Sequence, residues 1–155
     1  AAAIADLVRA NRRRDQVIMS AFHWTPLLWL MQHAPELNRA CLWRWSTFTW
    51  PFFANLAPQI YMERCRTDII HPDANLVDEA LMDQAARRGW TVYPWVKMDG
   101  EEHDREGVWS AMQTYGVDGL CTNYPRQLSS WLADAALDFQ QFATATEESV
   151  RERLS

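Results

Sequence analysis

Residues 89–99, GWTVYPWVKMD, and residues 116–125, GVDGLCTNYP, give the strongest indication of the architecture of this chain. The first string predicts a buried strand that ends at Trp95, and residues 102–115 predict a helix that Gly116 terminates. The second string predicts a short strand from Asp118 to Cys121. Two strands joined by a helix of this length pair in parallel. The segment therefore predicts an α/β fold with a parallel sheet.

The same alternation of strands and helices continues on both sides of this segment. The predicted strands are residues 17–19, 39–43, 67–70, 91–96 and 118–121. The predicted helices are residues 1–14, one that begins at Thr25-Pro26, one near 52–62, and 75–88, 102–115 and 125–138. The continuous apolar run at 17–19 is typical of a strand buried on both faces. One domain at residues 1–138 and a charged, helical tail at 139–155 account for the chain.

Composition excludes several classes of protein. Hydrophobic residues make up 48% of the 155 residues and the formal net charge is -5, which indicates a globular chain without an electrostatic basis for nucleic-acid binding. The three cysteines lack CxxC spacing, so we expect neither a disulfide framework nor a zinc site. Free thiols are typical of a reducing compartment, which favours the cytoplasm. No apolar run approaches the ~18 residues that span a membrane.

Aromatic side chains are dense after the predicted strand 39–43. They are Trp43, Trp45, Phe48, Trp50, Phe52 and Phe53. One interpretation is an apolar lip that contacts a membrane surface. The other is packing beneath the neighbouring helix.

The closing segment resembles the C-terminal part of the glycerophosphodiester phosphodiesterase family, which folds as a TIM-type (β/α)8 barrel of the PI-phospholipase-C-like kind. The family's pattern is a strand with a tryptophan near its end, a helix, and G-V-D-G-[IL]-x-T-D-x-P. The matching positions are Gly89, Val92, Trp95, Gly116, Val117, Asp118, Gly119, Leu120, Thr122 and Pro125. Residues 17–22 resemble the family's strand that ends in Ser-Phe, and residues 68–72 resemble its strand with a trailing proline.

Three positions depart from the family's pattern. Ala21 replaces the usual serine of Ser-Phe, Met98 replaces the asparagine after the tryptophan, and Asn123 replaces the aspartate of Thr-Asp-x-Pro. These changes fit either an active member or a member that has lost its activity.

The resemblance also implies which parts of the barrel this chain carries. Ala1 corresponds to a position just after the family's Glu-x-Lys strand, so the catalytic histidines and metal carboxylates of the family lie upstream. We therefore expect the C-terminal part of a barrel without its N-terminal half, and with no catalytic residue or metal ligand. Half a barrel leaves strand edges unpaired, so we expect the isolated chain to self-associate.

The implied activity belongs to the parent protein. It is hydrolysis of a glycerophosphodiester to glycerol 3-phosphate and an alcohol, with Mg²⁺ or Ca²⁺ on the phosphate. The expected substrate is a glycerophosphodiester or a lysophospholipid. This chain would supply pocket wall and barrel closure, and alone we expect it to be inactive. The alternatives are an inactive binding or structural module of the same ancestry, and an unrelated barrel lyase or isomerase.

Four residues are the candidates for substrate binding. Trp95 is either a pocket wall or a core aromatic, and Lys97, the only lysine, is either a cation near the phosphate or a solvated loop charge. Phe22 and Ser20 end their strand and are expected to line the pocket. His23 and His71 follow strands, but no carboxylate cluster accompanies them, so we interpret both as loop histidines.

Overall fold

The computed structural model describes residues 1–44, 57–96 and 106–136. The helices are α1 (Ala2–Ala10), α2 (Trp24–His33), α3 (Ala57–Cys65), α4 (Glu79–Arg88) and α5 (Glu106–Tyr115), and residues 125–136 are also helical. The strands are β1 (Ile18–Ala21), β2 (Asn38–Trp43), β3 (Ile69–Pro72) and β4 (Thr91–Val92). Short 3-10 turns occupy Arg14–Gln16 and Ala74–Leu76.

All four strands are parallel and lie in the order β1-β2-β3-β4, which confirms the predicted α/β fold. The predicted strand at 91–96 is interrupted: β4 ends at Val92, and Trp95 forms only isolated parallel bridges, with Asp73 and with Cys121. The predicted strand at 118–121 is reduced to that single bridge at Cys121. Pro94 has no N–H to donate towards residues 118–121, which leaves a gap in the ladder on that side, whereas the Tyr93 and Trp95 N–H groups still donate to the Ile70 and Pro72 carbonyls of β3.

The hydrophobic core lies between one face of the sheet and the helices. Cys41, Ile70 and Val92 are register partners on three successive strands and are each 1% exposed. They belong to one cluster with apolar residues of the helices, such as Leu27, Leu30, Met62, Leu81 and Met112. Burying one such side chain contributes about 1.5–3 kcal/mol to the stability of the fold. This face therefore holds the sheet against its helices.

Side chains alternate along a strand, so the residues between the core positions point to the opposite face. Ser20, Leu42, His71 and Tyr93 lie there, on β1, β2, β3 and just after β4. We call this the open face of the sheet.

The prediction that residues 17–19 are buried on both faces is wrong. Ile18 is 41% exposed because it lies on the open face, like Ser20, and because β1 is an edge strand of the described sheet with a neighbour on one side only. The apolar residues of α1 are likewise only partly buried. Ala5 and Val8 enter the core, whereas Ile4 and Leu7 are exposed.

Several boundaries also differ from the predicted ones. Helix α2 begins at Trp24, before Thr25, and α4 begins at Glu79, where the Asp78 side chain accepts a hydrogen bond from the Leu81 N–H at 2.8 Å. Asn75 lies in the preceding 3-10 turn and does not cap α4.

The helix-terminating glycines behave as predicted. Gly89 (φ 67°) and Gly116 (φ 72°) both adopt the left-handed conformation that ends a helix.

The predicted tail 139–155, Lys97 and Met98 lie outside the described residues. Within the part that is described, no helix is both long enough and apolar enough to cross a bilayer.

Candidate functional site

Parallel strands place all their carboxyl ends at one edge of the sheet, which is where α/β proteins build their sites. Phe22 follows β1 at this edge, Arg44 follows β2, Asp73 follows β3, and Trp95 lies beyond β4. The topology therefore brings residues that are far apart in sequence to one rim.

Phe22 and Trp95 meet across this rim. Their ring centroids are 5.9 Å apart and the ring planes are inclined by 86°, an edge-to-face contact. The strands that carry them are the outermost of the four, about 14 Å apart at ordinary strand spacing. The two side chains must therefore lean towards each other over the open face. The structure thus brings together two of the four predicted binding residues.

A cation lies against the same aromatic pair. The guanidinium carbon of Arg44 is 4.9 Å from the centroid of the Phe22 ring, in cation–π contact. Arg44 is exposed. Arg44 is not among the four predicted binding residues, although its position directly after β2 is a signal that the sequence contains.

The backbone of Phe22 is held by Tyr61 of α3. The Tyr61 hydroxyl donates a hydrogen bond to the Phe22 carbonyl at 3.2 Å, and its ring packs 5.9 Å from the Trp24 ring. Burial raises the pKa of Tyr61, which keeps the hydroxyl protonated and able to donate. A core residue thus fixes one member of the aromatic pair.

His71 is a strand residue, so its interpretation as a loop histidine is wrong. It lies within β3 on the open face, and neither of its ring nitrogens has a partner among the described residues, although both are buried. Burial lowers the pKa of His71, because desolvation disfavours the imidazolium. The indole Nε1 of Trp95 is also buried without a partner in the described structure. Buried polar atoms of this kind are costly unless something binds them.

The remaining predicted residues are less integrated. Ser20 lies on the open face and is exposed, two residues before Phe22, while Lys97 lies outside the described residues. His23 is exposed and precedes the first residue of α2.

Trp43 does not belong to a lip. It is 6% exposed within the core cluster, because its position in β2 points towards the helices. The prediction of membrane contact is wrong for this residue. Trp45, Trp50, Phe52 and Phe53 lie outside the described residues.

In the last segment, residues 118–121, Gly119 lies against the Tyr93 ring. A Cβ added at Gly119 would lie 2.5 Å from the Tyr93 ring, so only glycine leaves room for this ring on the open face. At the exit, Thr122 accepts a hydrogen bond from the Tyr124 N–H at 3.0 Å, just before the helix at 125–136.

The residues at the rim do not form a metal centre by themselves. Across residues 1–44, 57–96 and 106–136, no three His, Cys, Asp or Glu side chains come close enough to hold a metal ion. Asp73, the acidic residue at the end of β3, accepts hydrogen bonds from the backbone and side chain of Asn75. The described part of the chain therefore does not fit a resident divalent cation.

A scan of family models matches residues 2–127 to the glycerophosphoryl diester phosphodiesterase family. Among the curated proteins there is no match.

Solved structures resemble the fold. One is a protein assigned as a glycerophosphoryl diester phosphodiesterase from Agrobacterium tumefaciens str. C58, with a TM-score of 0.73 and 14% identity over 88% of this chain and 51% of that chain. Another is a protein assigned as a glycerophosphodiester phosphodiesterase from Galdieria sulphuraria. Its TM-score is 0.68, with 21% identity over 84% of this chain and 49% of that chain. A third is a phosphodiesterase of Oleispira antarctica in complex with the product sn-glycerol-3-phosphate. Its TM-score is 0.59, with 16% identity over 75% of this chain and 41% of that chain.

The chain spans about half the length of these structures. Its four parallel strands and their helices are a partial (β/α)8 barrel.

Proposed function

The chain belongs to the glycerophosphoryl diester phosphodiesterase family, and from this premise we propose that it forms the pocket-wall half of an enzyme that hydrolyses glycerophosphodiesters. The products are glycerol 3-phosphate and an alcohol: water adds its hydroxyl to phosphorus, and its proton goes to the leaving alkoxide. The family match over residues 2–127 is the observation that carries this proposal.

Within this reaction the aromatic pair has a binding role. The Phe22 and Trp95 rings present apolar surface at the rim, suited to the carbon atoms of the glycerol or of the leaving alcohol. Ser20 adds a hydroxyl on the same face, and Lys97, two residues after Trp95, adds a positive charge. These four residues shape the pocket and hold no reacting atom.

Acid, base and metal chemistry come from elsewhere in the protein. A divalent cation, Mg²⁺ or Ca²⁺, would neutralise the phosphate when bound. Since the described residues lack a ligand set for it, we place its ligands outside them. We propose that the 155-residue chain is inactive alone.

The test compares the isolated chain with the full-length product of its gene. Both are assayed for release of glycerol 3-phosphate from glycerophosphocholine and glycerophosphoethanolamine, with Mg²⁺ or Ca²⁺ and with a chelator. We expect release by the full-length product only, and none in chelator. Metal-dependent hydrolysis by the isolated chain would contradict the proposal that this chain supplies only the pocket wall. A folded full-length product that hydrolyses neither substrate would contradict the enzymatic function.

The second candidate is an inactive binding module of the same ancestry. The departures at Ala21, Met98 and Asn123 favour it. It predicts that the full-length product binds glycerol 3-phosphate, measured by calorimetry, without hydrolysing either substrate.

A further inference from the structure

We propose that Arg44 is an anion-binding residue of this pocket, which the Phe22 ring positions and which binds the phosphate oxygens of the substrate or product. This inference rests on the proposed function and deepens it, because it assigns phosphate recognition to a residue of this half of the barrel. It starts from the placement of Arg44 directly after β2, at the rim where Phe22 and Trp95 meet.

The contact with Phe22 leaves the hydrogen-bonding edge of Arg44 available. A guanidinium held by a cation–π contact uses its charge against the ring, while its N–H groups point outward in its own plane. Arg44 is exposed, so a solute can reach those donors. A planar, permanently charged fork of N–H groups matches phosphate oxygens, which accept two parallel hydrogen bonds from it.

Arg44 lies beside the aromatic pair, whereas several other arginines of the described residues already have internal partners. Arg9, Arg14, Arg87 and Arg88 each lie within 4 Å of a carboxylate oxygen, whereas Arg39 donates to backbone carbonyls. Within the described ranges Arg44 has neither kind of partner, and its guanidinium lies over the Phe22 ring. A cation without an internal counter-ion beside a binding surface is suited to an anion from solution.

The neighbouring groups support an anionic ligand with hydroxyl groups. Trp95 contributes an indole N–H that has no protein partner in the described structure, and an indole N–H can only donate. Phosphate oxygens and hydroxyl oxygens both accept such a bond. The rim therefore places the exposed guanidinium of Arg44 near a buried indole N–H, and its acidic residue, Asp73, is engaged with Asn75.

A matched control exists in the same chain. Arg64 of α3 lies over the Trp24 ring, 5.5 Å from its centroid, so it makes the same kind of contact. Trp24 is not one of the two rings that meet across the rim. Arg64→Gln removes an equivalent charge and an equivalent contact without touching the aromatic pair.

The experiment measures binding of sn-glycerol 3-phosphate and of glycerol to the isolated chain and to the full-length product, with KM for glycerophosphocholine as a second readout. Arg44→Gln should weaken glycerol 3-phosphate binding and raise KM about tenfold or more, the usual effect of losing hydrogen bonds to a charged group. Binding of neutral glycerol should not change. Arg44→Lys should restore part of the loss, and Phe22→Leu should cost a few-fold through the lost stacking. Arg64→Gln should stay within about twofold of the parent protein.

The possible outcomes distinguish a failure of this inference from a failure of the proposed function. Arg44→Gln and Arg44→Lys could both bind glycerol 3-phosphate as tightly as the parent protein does, while Trp95→Ala binds it more weakly. In that case Arg44 is not the anion-binding residue, but the proposed pocket at the rim is retained. If Arg64→Gln weakens binding as much as Arg44→Gln, the effect is one of overall charge and the assignment fails. If the unmodified full-length product neither binds glycerol 3-phosphate nor hydrolyses a glycerophosphodiester, the proposed function itself fails.

Discussion

Asp118 and Val92 are joined by two reciprocal hydrogen bonds. The Asp118 carboxylate accepts from the Val92 N–H at 2.8 Å, and the Asp118 N–H donates to the Val92 carbonyl at 3.0 Å. An aspartate of the closing GVDG motif thus replaces part of the strand ladder that the last segment lacks. Its side chain attaches this segment to β4.

We predict that Asp118→Ala lowers the free energy of unfolding by about 1–3 kcal/mol, because the buried Val92 N–H loses its acceptor. Asp118→Asn keeps an acceptor oxygen and should lose less. Urea denaturation measures both. Asp83→Ala, which removes an exposed ion pair with Arg87, is the control and should change little.

Gly119→Ala should be destabilising, since the new methyl group would meet the Tyr93 ring at 2.5 Å. We expect a loss of about 1–3 kcal/mol, typical of overpacking, measured by thermal unfolding. Gly107→Ala is the matched control: it lies in α5 with open space around it, and should stabilise by up to about 1 kcal/mol. Equal melting temperatures for the two variants would show that Tyr93 does not occupy this position.

We predict that His71 makes the folded chain less stable in acid. Burial lowers its pKa in the folded chain, so the unfolded chain binds the proton more readily. Stability is then complete above about pH 6.5, the ordinary pKa of histidine, and is lost as the pH falls below it towards the pKa of the folded state. Urea midpoints at pH 7.5 and 5.5 should differ less in His71→Gln than in the parent. His33→Gln, which removes an exposed ring, should leave the difference intact.

The three thiols should react very unequally. Cys121 is exposed, whereas Cys41 and Cys65 are buried and contact each other. The hydrogen bond with Cys65, together with burial, raises the pKa of the Cys41 thiol, so little reactive thiolate forms there. We predict one rapidly reacting thiol per native chain in a colorimetric thiol assay, and none in Cys121→Ser. Three should react in denaturant. Rapid labelling of Cys121→Ser would contradict the burial of the pair.

The isolated chain should self-associate through β1. This edge strand carries exposed Ile18, and Ile4 and Leu7 of α1 are 50% and 64% exposed nearby in sequence. Ile18→Lys should shift light scattering towards monomer, because a charge on an edge strand opposes pairing. Leu132→Lys, a similar change on the helix at 125–136, should not. A monodisperse monomer of the unmodified chain would contradict this prediction.

Much of the architecture was predictable because it depends on local rules. The order of strands and helices follows from hydrophobic periodicity, and Gly89 and Gly116 end their helices because they adopt positive φ. The wrong predictions concern features that depend on the neighbouring elements of the fold. Residues 17–19 are apolar enough for a central strand, and only the sheet order shows that they form an edge.

The site was predictable only in part. Trp95 and Phe22 could be assigned to strand ends, but their contact depends on how two distant side chains lean across the sheet. His71 was assigned to a loop because proline was expected to stop the strand one residue later. Pro72 instead belongs to β3, where its carbonyl accepts a hydrogen bond from the Trp95 N–H at 2.8 Å.

The consecutive order β1-β2-β3-β4 has a consequence for how this chain reaches its fold. Each strand pairs with its neighbour in sequence, so each new strand needs only its own helical crossover to close, and the sheet can grow one strand at a time. During synthesis, each strand and its helix can dock as soon as they leave the ribosome, without waiting for residues made later.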